Sequence, residues 1–251
     1  MDFEFVMKAM VLCAGFGTRL GDLTRETPKP MLDLDGQPML AWILAHLRQN
    51  GFSMVGINLH FQADTIQNHF GEGDSLGVKL IFSREPELLG TAGGAGRIGE
   101  LLCPKETFLI QYGDVITDAD LGEMVRVHRE RGAVATIMVH ERERSNSVVE
   151  FGDDGRVIRL LERPDENERK TTSSRYVNSG ICVAEPELLK FIPAGRAADL
   201  PRDVFPALIA EGKLFAYPLN GFRCAVDSPE RLETARLALR DGQCRITRPA
   251  S

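Results

Sequence analysis

No stretch of this chain stays apolar for long enough to cross a bilayer, which takes about 20 residues in a helix. The first residues, Met-Asp-Phe-Glu-Phe-Val, lack the basic head of a secretory signal. Positive charge is not in excess: 30 Lys and Arg stand against 36 Asp and Glu, a net charge of −6. That balance excludes a broad electrostatic footprint for nucleic acid. The five cysteines, Cys13, Cys103, Cys182, Cys224 and Cys244, are odd in number and contain no CxxC spacing. Neither a zinc site nor a redox pair is indicated, and most of them read as small core residues of a reducing compartment. His46, His60, His69, His128 and His140 show no metal-ligand spacing, and no Ser or Cys stands in a nucleophile-elbow context. Repeats and low-complexity runs are missing too. What remains is a cytoplasmic globule, 43% hydrophobic and 26% charged, with an ordinary composition for building a core. Its 251 residues suit one large α/β domain or two small ones. Residues before Met7 read as a short extension.

One stretch dominates the rest, Leu12 to Met31, LCAGFGTRLGDLTRETPKPM. It continues the apolar run Met7 to Leu12, a buried strand of a parallel sheet, although periodicity alone does not separate this from a buried helix segment. Gly15 and Gly17 allow a sharp turn and close approach to a ligand. Such a turn lines up N–H groups as an anion cradle. Arg19 and Lys29 add two positive charges, and Pro28 and Pro30 hold the segment carrying Lys29 out of helix. In an acidic chain, this local concentration of cations suits a polyphosphate. The P-loop spacing GxxxxGK[ST] is absent. The dinucleotide fingerprint fails as well, because Leu20 occupies its last glycine position and Gly21 comes one place late. On its own a GxG is as often a turn that only shapes the fold.

Strand and helix signals then alternate. Leu40, Ile43, Leu44 and Leu47 share one helix face after Pro38, with Gly51 as the stop. Met54 to Leu59 reads as a strand, Asp64 to Phe70 as a helix ended by Gly71 and Gly73, and Val78 to Phe82 as a strand. Small residues crowd Ser83 to Gly96; they suit close backbone contact with a flat base, or equally a glycine-rich helix start packed on the sheet. Glu85 there can accept from a base amino group or simply stand solvated. Thr107 to Tyr112 is a strand ended by Gly113-Asp114. Ligands of open α/β sheets bind at the carboxyl ends of strands, so Asp114 sits where a carboxylate can hold a divalent cation against phosphates. A bare Gly-Asp is otherwise a simple turn. Leu121, Met124 and Val125 begin a helix closed by Gly132, and Ala133 to Val139 is a strand. The alternation implies an α/β fold: a Rossmann-like, mostly parallel mixed sheet flanked by helices.

From Val148 the texture changes. VVEFGDDGRVIRLLERP reads as a β-hairpin turning at Asp154-Gly155, the start of a smaller subregion. Pro164 to Arg175 reads as a mobile polar loop, placed where either a lid or a plain surface loop would lie. Tyr176 to Ala184 and Leu214 to Leu219 are strands; Pro186 to Phe191 and Leu200 to Ile209 are helical. Asp227 or Ser228 caps a last helix from Pro229, with Leu232, Ala235 and Leu239 as its buried stripe. The tail after Gly242 reads as frayed.

LCAGFGTRL followed by TPKPML closely resembles the signature of the sugar-1-phosphate nucleotidyltransferases, the NDP-sugar pyrophosphorylases, LAAGxGTRLxPLT…PKPMLPV. Gly90-Thr91-Ala92 resembles that family's second nucleotide segment, Gly113-Asp114 its metal-binding strand end, and the hairpin its YGVVxxDxxGxVxxFxEKP. YVNSGICVA is similar to its NxG strand, and Leu200 to Ile209, with Asp203 and Phe205-Pro206, to its D…FP.L region. The resemblance implies that Leu12, Ala14, Gly15, Gly17, Thr18, Arg19, Lys29, Glu85, Gly90 and Thr91 hold a nucleoside triphosphate. It places catalysis on Arg19, Lys29 and Asp114, and the sugar phosphate on Glu162, Arg163, Asn178 and Gly180. It implies Mg2+ on Asp114 and a second acid. An ungapped match puts Ala225 at that second acid; relatives acting on other alcohols carry ExD or DxD there, which moves the role to Asp227. Ser147 for a common Gly and Arg163 for the usual Lys are further departures, and Arg meets phosphate with its own geometry.

The expected unit is a single nucleotidyltransferase domain, with a nucleotide-binding half at 7–140, a sugar-phosphate-binding half at 141–230 and a C-terminal helix at 229–241. The expected reaction is NTP plus sugar 1-phosphate giving NDP-sugar and pyrophosphate, with no nucleic-acid or membrane partner. Self-association into a homo-oligomer stays open. The LLGTAG wording leans toward guanylyl or uridylyl transfer. Without the β-helix or acyltransferase domain of longer relatives, only nucleotidyl transfer is expected. Two alternatives fit the departures: a non-sugar acceptor (cyclitol, amino-alcohol or phosphonate), and, through Ala225, a regulatory subunit that binds sugar nucleotides without turning them over.

Overall fold

A computed structural model describes residues 7–143 and 145–249. In chain order the elements are β1 (Met7–Leu12), β2 (Asp33–Leu34), β3 (Gln37–Pro38), α1 (Met39–Gln49), β4 (Phe52–Leu59), α2 (Ala63–Phe70), β5 (Lys79–Arg84), α3 (Gly90–Leu102), β6 (Phe108–Tyr112), β7 (Val115–Thr117), α4 (Leu121–Arg131), β8 (Ala135–Glu141), β9 (Ser147–Phe151), β10 (Val157–Glu162), α5 (Glu166–Lys170), β11 (Tyr176–Ala184), α6 (Phe205–Ala210), β12 (Leu214–Pro218), β13 (Arg223–Ala225) and α7 (Pro229–Arg240). A seven-stranded sheet in the order β12-β8-β11-β6-β1-β4-β5 forms the centre. Every pairing in it is parallel except those of β11, which runs against both β6 and β8. The α/β, mostly parallel mixed sheet read from the alternating signals is therefore the observed one.

Each central strand is buried on both faces, which is why the strands read as near-continuous apolar runs. Successive side chains of a strand point to opposite faces. Ala9 and Val11 accordingly pack on one side of the sheet with α1, α4 and α7, while Met10 packs on the other with α3 and α6. β11 divides the same way, Ile181 and Val183 against Cys182 and Ala184. On α1 the predicted stripe Leu40, Ile43, Leu44 and Leu47 is buried, each side chain contributing about 1.5–3 kcal/mol by leaving water.

Outside the main sheet, β9 and β10 form the expected antiparallel hairpin. Four short strands escaped the sequence reading: β2 and β3 pair antiparallel, and so do β7 and β13, Val115 opposite Ala225. Four readings need correction. The segment 164–175 contains α5, held by a reciprocal cap in which Asp165 accepts from Glu168 N and Glu168 from Asp165 N. Its charge density masked a capping box. The tail after Gly242 is packed rather than frayed: Cys244 is buried, and Arg245 N donates to Asp118 Oδ2 at 2.9 Å. Pro186–Phe191 is 3-10 rather than α-helical. Leu200–Val204 is a π-helical turn that only then leads into α6. The N-terminal extension before Met7 lies outside the described residues.

Candidate active site

β1, β4 and β6 end side by side, with Leu12 opposite both Asn58 and Tyr112. The glycine turn leaves β1 at this edge. Cys13 N donates to Asn58 Oδ1 at 2.7 Å, and Thr24 Oγ1 donates to Gly17 O at 3.1 Å, which staples the turn to the segment behind it. Gly17 has φ 68, the left-handed region where glycine is unstrained. Lys29 does not lie in extended backbone: Pro28 is extended, and Lys29 opens a single 3-10 turn, Lys29–Met31.

Gly113 is what lets β6 turn against β1. A Cβ there would lie 2.4 Å from Cys13 Sγ and 2.8 Å from Leu12 O. The turn delivers Asp114, whose Oδ2 accepts from Lys29 Nζ at 2.7 Å. Val226 N donates to Asp114 O at 2.8 Å, so the β7–β13 ribbon carries Asp227 to the same mouth. There Asp227 accepts from Arg19 Nη1 at 3.3 Å and forms an ion pair with Arg231, Nε lying 3.2 Å away. Burial and the Asp114 carboxylate push the Cys13 thiol far above its ordinary range, which makes it inert as a nucleophile.

Two adjoining cavities meet at these ion pairs. The first, about 330 Å3, is lined by Leu12, Ala14, Gly15, Gly17, Thr18, Arg19, Lys29, Glu85, Gly90, Thr91 and Asp114. All ten residues expected to hold the nucleotide thus border one space. Glu85 is 4% exposed, so the solvated alternative does not hold. Its Oε1 accepts from Asn58 Nδ2 at 2.7 Å and its Oε2 from Leu89 N at 3.1 Å. Gly90 and Thr91 start α3, so the glycine-rich helix start and the cavity wall are the same residues.

The second cavity, about 990 Å3, is lined by Glu162, Arg163, Asn178, Gly180 and Ser147, and shares Arg19, Thr91, Asp114 and Asp227 with the first. Glu162 pairs with Ser147 at the open end of the hairpin. Burial raises its pKa, against the pull of Arg163 and Arg202. Asn178 Oδ1 accepts from Gly180 N at 3.0 Å, and Asn178 N donates to Ser147 Oγ at 3.0 Å. Gly180, with φ 80, is pressed against Tyr112, whose ring a Cβ would meet at 3.0 Å. Ser228, not Asp227, caps α7 by accepting from Arg231 N, which leaves Asp227 to the mouth.

Several bordering residues were not legible beforehand. Asn58 bridges the turn to Glu85. Asp199 accepts from Thr91 N and Oγ1, both at 3.1 Å, and lines both cavities. The residue singled out in that region was Asp203, which instead binds Arg196 and Asp199 N. His140, Arg142, Arg202 and Arg223 line the second cavity. No local motif marks any of them; Asp199 lies 108 residues from Thr91.

Asp114 and Asp227 offer hard oxygen donors at one mouth. Mg2+ takes one or two carboxylates and completes its shell with phosphates and water. Among the described residues no cluster of three or more His, Cys, Asp or Glu offers an all-protein cage. The donor set fits such a shared metal, with the present countercharges supplied by Lys29, Arg19 and Arg231. No helix among the described residues is long and apolar enough to cross a membrane.

Fold and cavities together define an α/β protein that presents its cleft at the carboxyl ends of parallel strands. The chain belongs to the nucleotidyl transferase family, whose model matches residues 8–223. It is 37% identical over 229 residues to a UTP–glucose-1-phosphate uridylyltransferase of Synechocystis sp., covering 85% of this chain and 58% of that relative. It is 33% identical over 229 residues to the mannose-1-phosphate guanylyltransferase catalytic subunit beta of Xenopus tropicalis, covering 89% and 62%. The chain therefore spans about three-fifths of the length of these relatives. The fold matches a UDP-glucose pyrophosphorylase solved with UDP-glucose at a TM-score of 0.79, with 18% identity and coverage of 94% and 99%.

Proposed function

We propose that the protein transfers a nucleotidyl group from an NTP to a sugar 1-phosphate, releasing pyrophosphate. The observation that carries this reading is the mouth where Lys29–Asp114 and Arg19–Asp227 stand between the two cavities. The smaller cavity takes the nucleoside triphosphate and the larger the acceptor. One oxygen of the acceptor phosphate attacks the α-phosphorus while its bond to the pyrophosphate oxygen breaks. A phosphate monoester is largely ionised at pH 7, with its second pKa at about 6, so no general base is needed. The task is to bring anions together and to stabilise charge by position and electrostatics.

Lys29 holds the α-phosphate, Arg19 the departing pyrophosphate, and Arg163 the attacking phosphate. Asp114 and Asp227 would hold Mg2+, which when bound would supply charge neutralisation for the reacting phosphates. Gly15, Gly17 and Thr18 surround the triphosphate; Leu12, Ala14, Glu85, Gly90 and Thr91 surround the base. Glu162, Asn178 and Gly180 border the sugar. The named relatives transfer uridylyl and guanylyl groups, which makes UTP and GTP the first donors to try. A cationic amino-alcohol acceptor is disfavoured by the arginines of the larger cavity. A panel of NTPs against sugar 1-phosphates with Mg2+, read by pyrophosphate release, tests the proposal. Silence across the panel would leave the regulatory-subunit reading in its place.

A further inference from the structure

The geometry points to an acceptor that carries a second anionic group, a phosphate or carboxylate on the sugar, held by Arg142 and Arg223 beside His140. This rests on the reading of the larger cavity as the acceptor pocket. Six guanidinium groups line that cavity, those of Arg19, Arg142, Arg163, Arg169, Arg202 and Arg223. Arg19 is bound by Asp227, and the Arg169 guanidinium donates to Ser145 O. Among the described residues the other four have no carboxylate within ion-pair distance. Two acids of the wall are engaged with other cations, Asp114 with Lys29 and Asp227 with Arg19 and Arg231, while Asp199 accepts from Thr91 and Glu162 lies under the pull of Arg163 and Arg202. Glu143 and Glu166 stand exposed on the rim.

Of the five arginines without a carboxylate partner among the described residues, four fall into two groups. Arg163 and Arg202 face Glu162. Arg142 and Arg223 face His140, whose Nδ1 meets Ser179 Oγ at 2.9 Å. Burial, then Arg223, Arg142 and Arg231, hold the His140 imidazole neutral, with its pKa pushed down to about 4. Arg223 is half-buried and donates only to Ser179 O, at 2.9 and 3.3 Å. Arg231 and Arg142 crowd it further, and the one acid that acts on it, Asp114, is already bonded to Lys29. A half-buried guanidinium among like charges, beside a neutral imidazole, is costly without a countercharge. One anomeric phosphate, assigned to Arg163 and the mouth, leaves Arg142 and Arg223 without a countercharge of their own. A second anion does, and the planar fork of arginine accepts either carboxylate or phosphate bidentately.

The test compares kcat/KM for glucose 1-phosphate, glucose 1,6-bisphosphate and glucuronic acid 1-phosphate with the best NTP and Mg2+. At least one doubly anionic acceptor is expected to exceed glucose 1-phosphate by about 10- to 100-fold. Preference for the bisphosphate identifies a phosphate site; preference for the uronate, a carboxylate site. Arg142→Met, at an exposed position where the fold tolerates change, is expected to bring that ratio close to one. Equal or better use of glucose 1-phosphate overturns the inference while the reaction stands. So does an equal loss on all three acceptors in Arg142→Met and Arg223→Met, which assigns both arginines to the common phosphate. If no acceptor turns over, the reaction reading falls, and calorimetric titration with the same three sugars decides the subsite. Equal affinities reject it; tighter binding of a doubly anionic sugar that Arg142→Met abolishes retains it.

Discussion

Removing Lys29 or Asp114 probes the mouth of the site twice, once through stability and once through turnover. Their bond of 2.7 Å joins side chains that are 12% and 24% exposed. A hydrogen bond between charged groups contributes about 1.5–3 kcal/mol when well buried, and the open cavity reduces this to about 1–2 kcal/mol. In a chain of this size that is a fall of roughly 2–8 °C in Tm. The two single variants are not equivalent. Asp114→Ala strands the more buried partner, Lys29, whereas Lys29→Met leaves Asp114 under the influence of Arg223. Asp114→Ala is therefore expected to destabilise more, and the double variant less than the sum of the two. Turnover is expected to move far more than stability. On the proposed assignment each single change removes a contact to the reacting phosphates and is expected to lower kcat/KM by about 10²–10³, with the double variant not multiplicative. Thermal melts and steady-state pyrophosphate release measure both. Either single variant turning over within about threefold of the parent, while folded, would refute the assignment of the mouth.

Three further outcomes follow from the same geometry. Gly113→Ala would place a Cβ 2.8 Å from the fixed carbonyl of Leu12, an overpacking of about 1–3 kcal/mol that should lower Tm by roughly 2–12 °C; an unchanged melt would contradict the close approach of β1 and β6. Asn58→Ala removes both the acceptor for Cys13 N and the donor to Glu85, and is expected to raise KM for the NTP more than KM for the acceptor in steady-state kinetics. Acid should destabilise the protein through His140. Unfolded histidine takes a proton near pH 6.5, while folded His140 refuses it until about 4. Between those values the unfolded state holds more protons, so stability falls as pH drops from about 6.5 toward 4. His140→Gln should flatten that slope in melts recorded across this range.

Much of this molecule is written locally. The apolar runs at Met7–Leu12 and Tyr176–Ala184, the stripe on α1 and the turn at Asp154-Gly155 each carry a period or a turn chemistry that neighbours alone can specify. The glycine turn with Arg19 and Lys29 is local as well, and so is the strand-end Asp114, because strand ends in a parallel sheet are where ligands sit. Where local signals failed, they competed: charge in 164–175 concealed the cap of α5, and polar spacing in 242–249 concealed the anchoring of Cys244.

Tertiary structure decided what no spacing encodes. Strand order set β1 between β4 and β6, and so brought Asn58 and Gly113 to the glycine turn. The β7–β13 pairing carried Asp227, two residues past Ala225, to Arg19 at the mouth. Asp199 met Thr91, and Arg142 and Arg223 came to line the same larger cavity, only because crossovers returned distant segments to one sheet edge. A residue's period and turn propensity depend on its neighbours in the chain; which strangers it faces depends on register and crossover order, and these are fixed only when the whole sheet buries both of its faces.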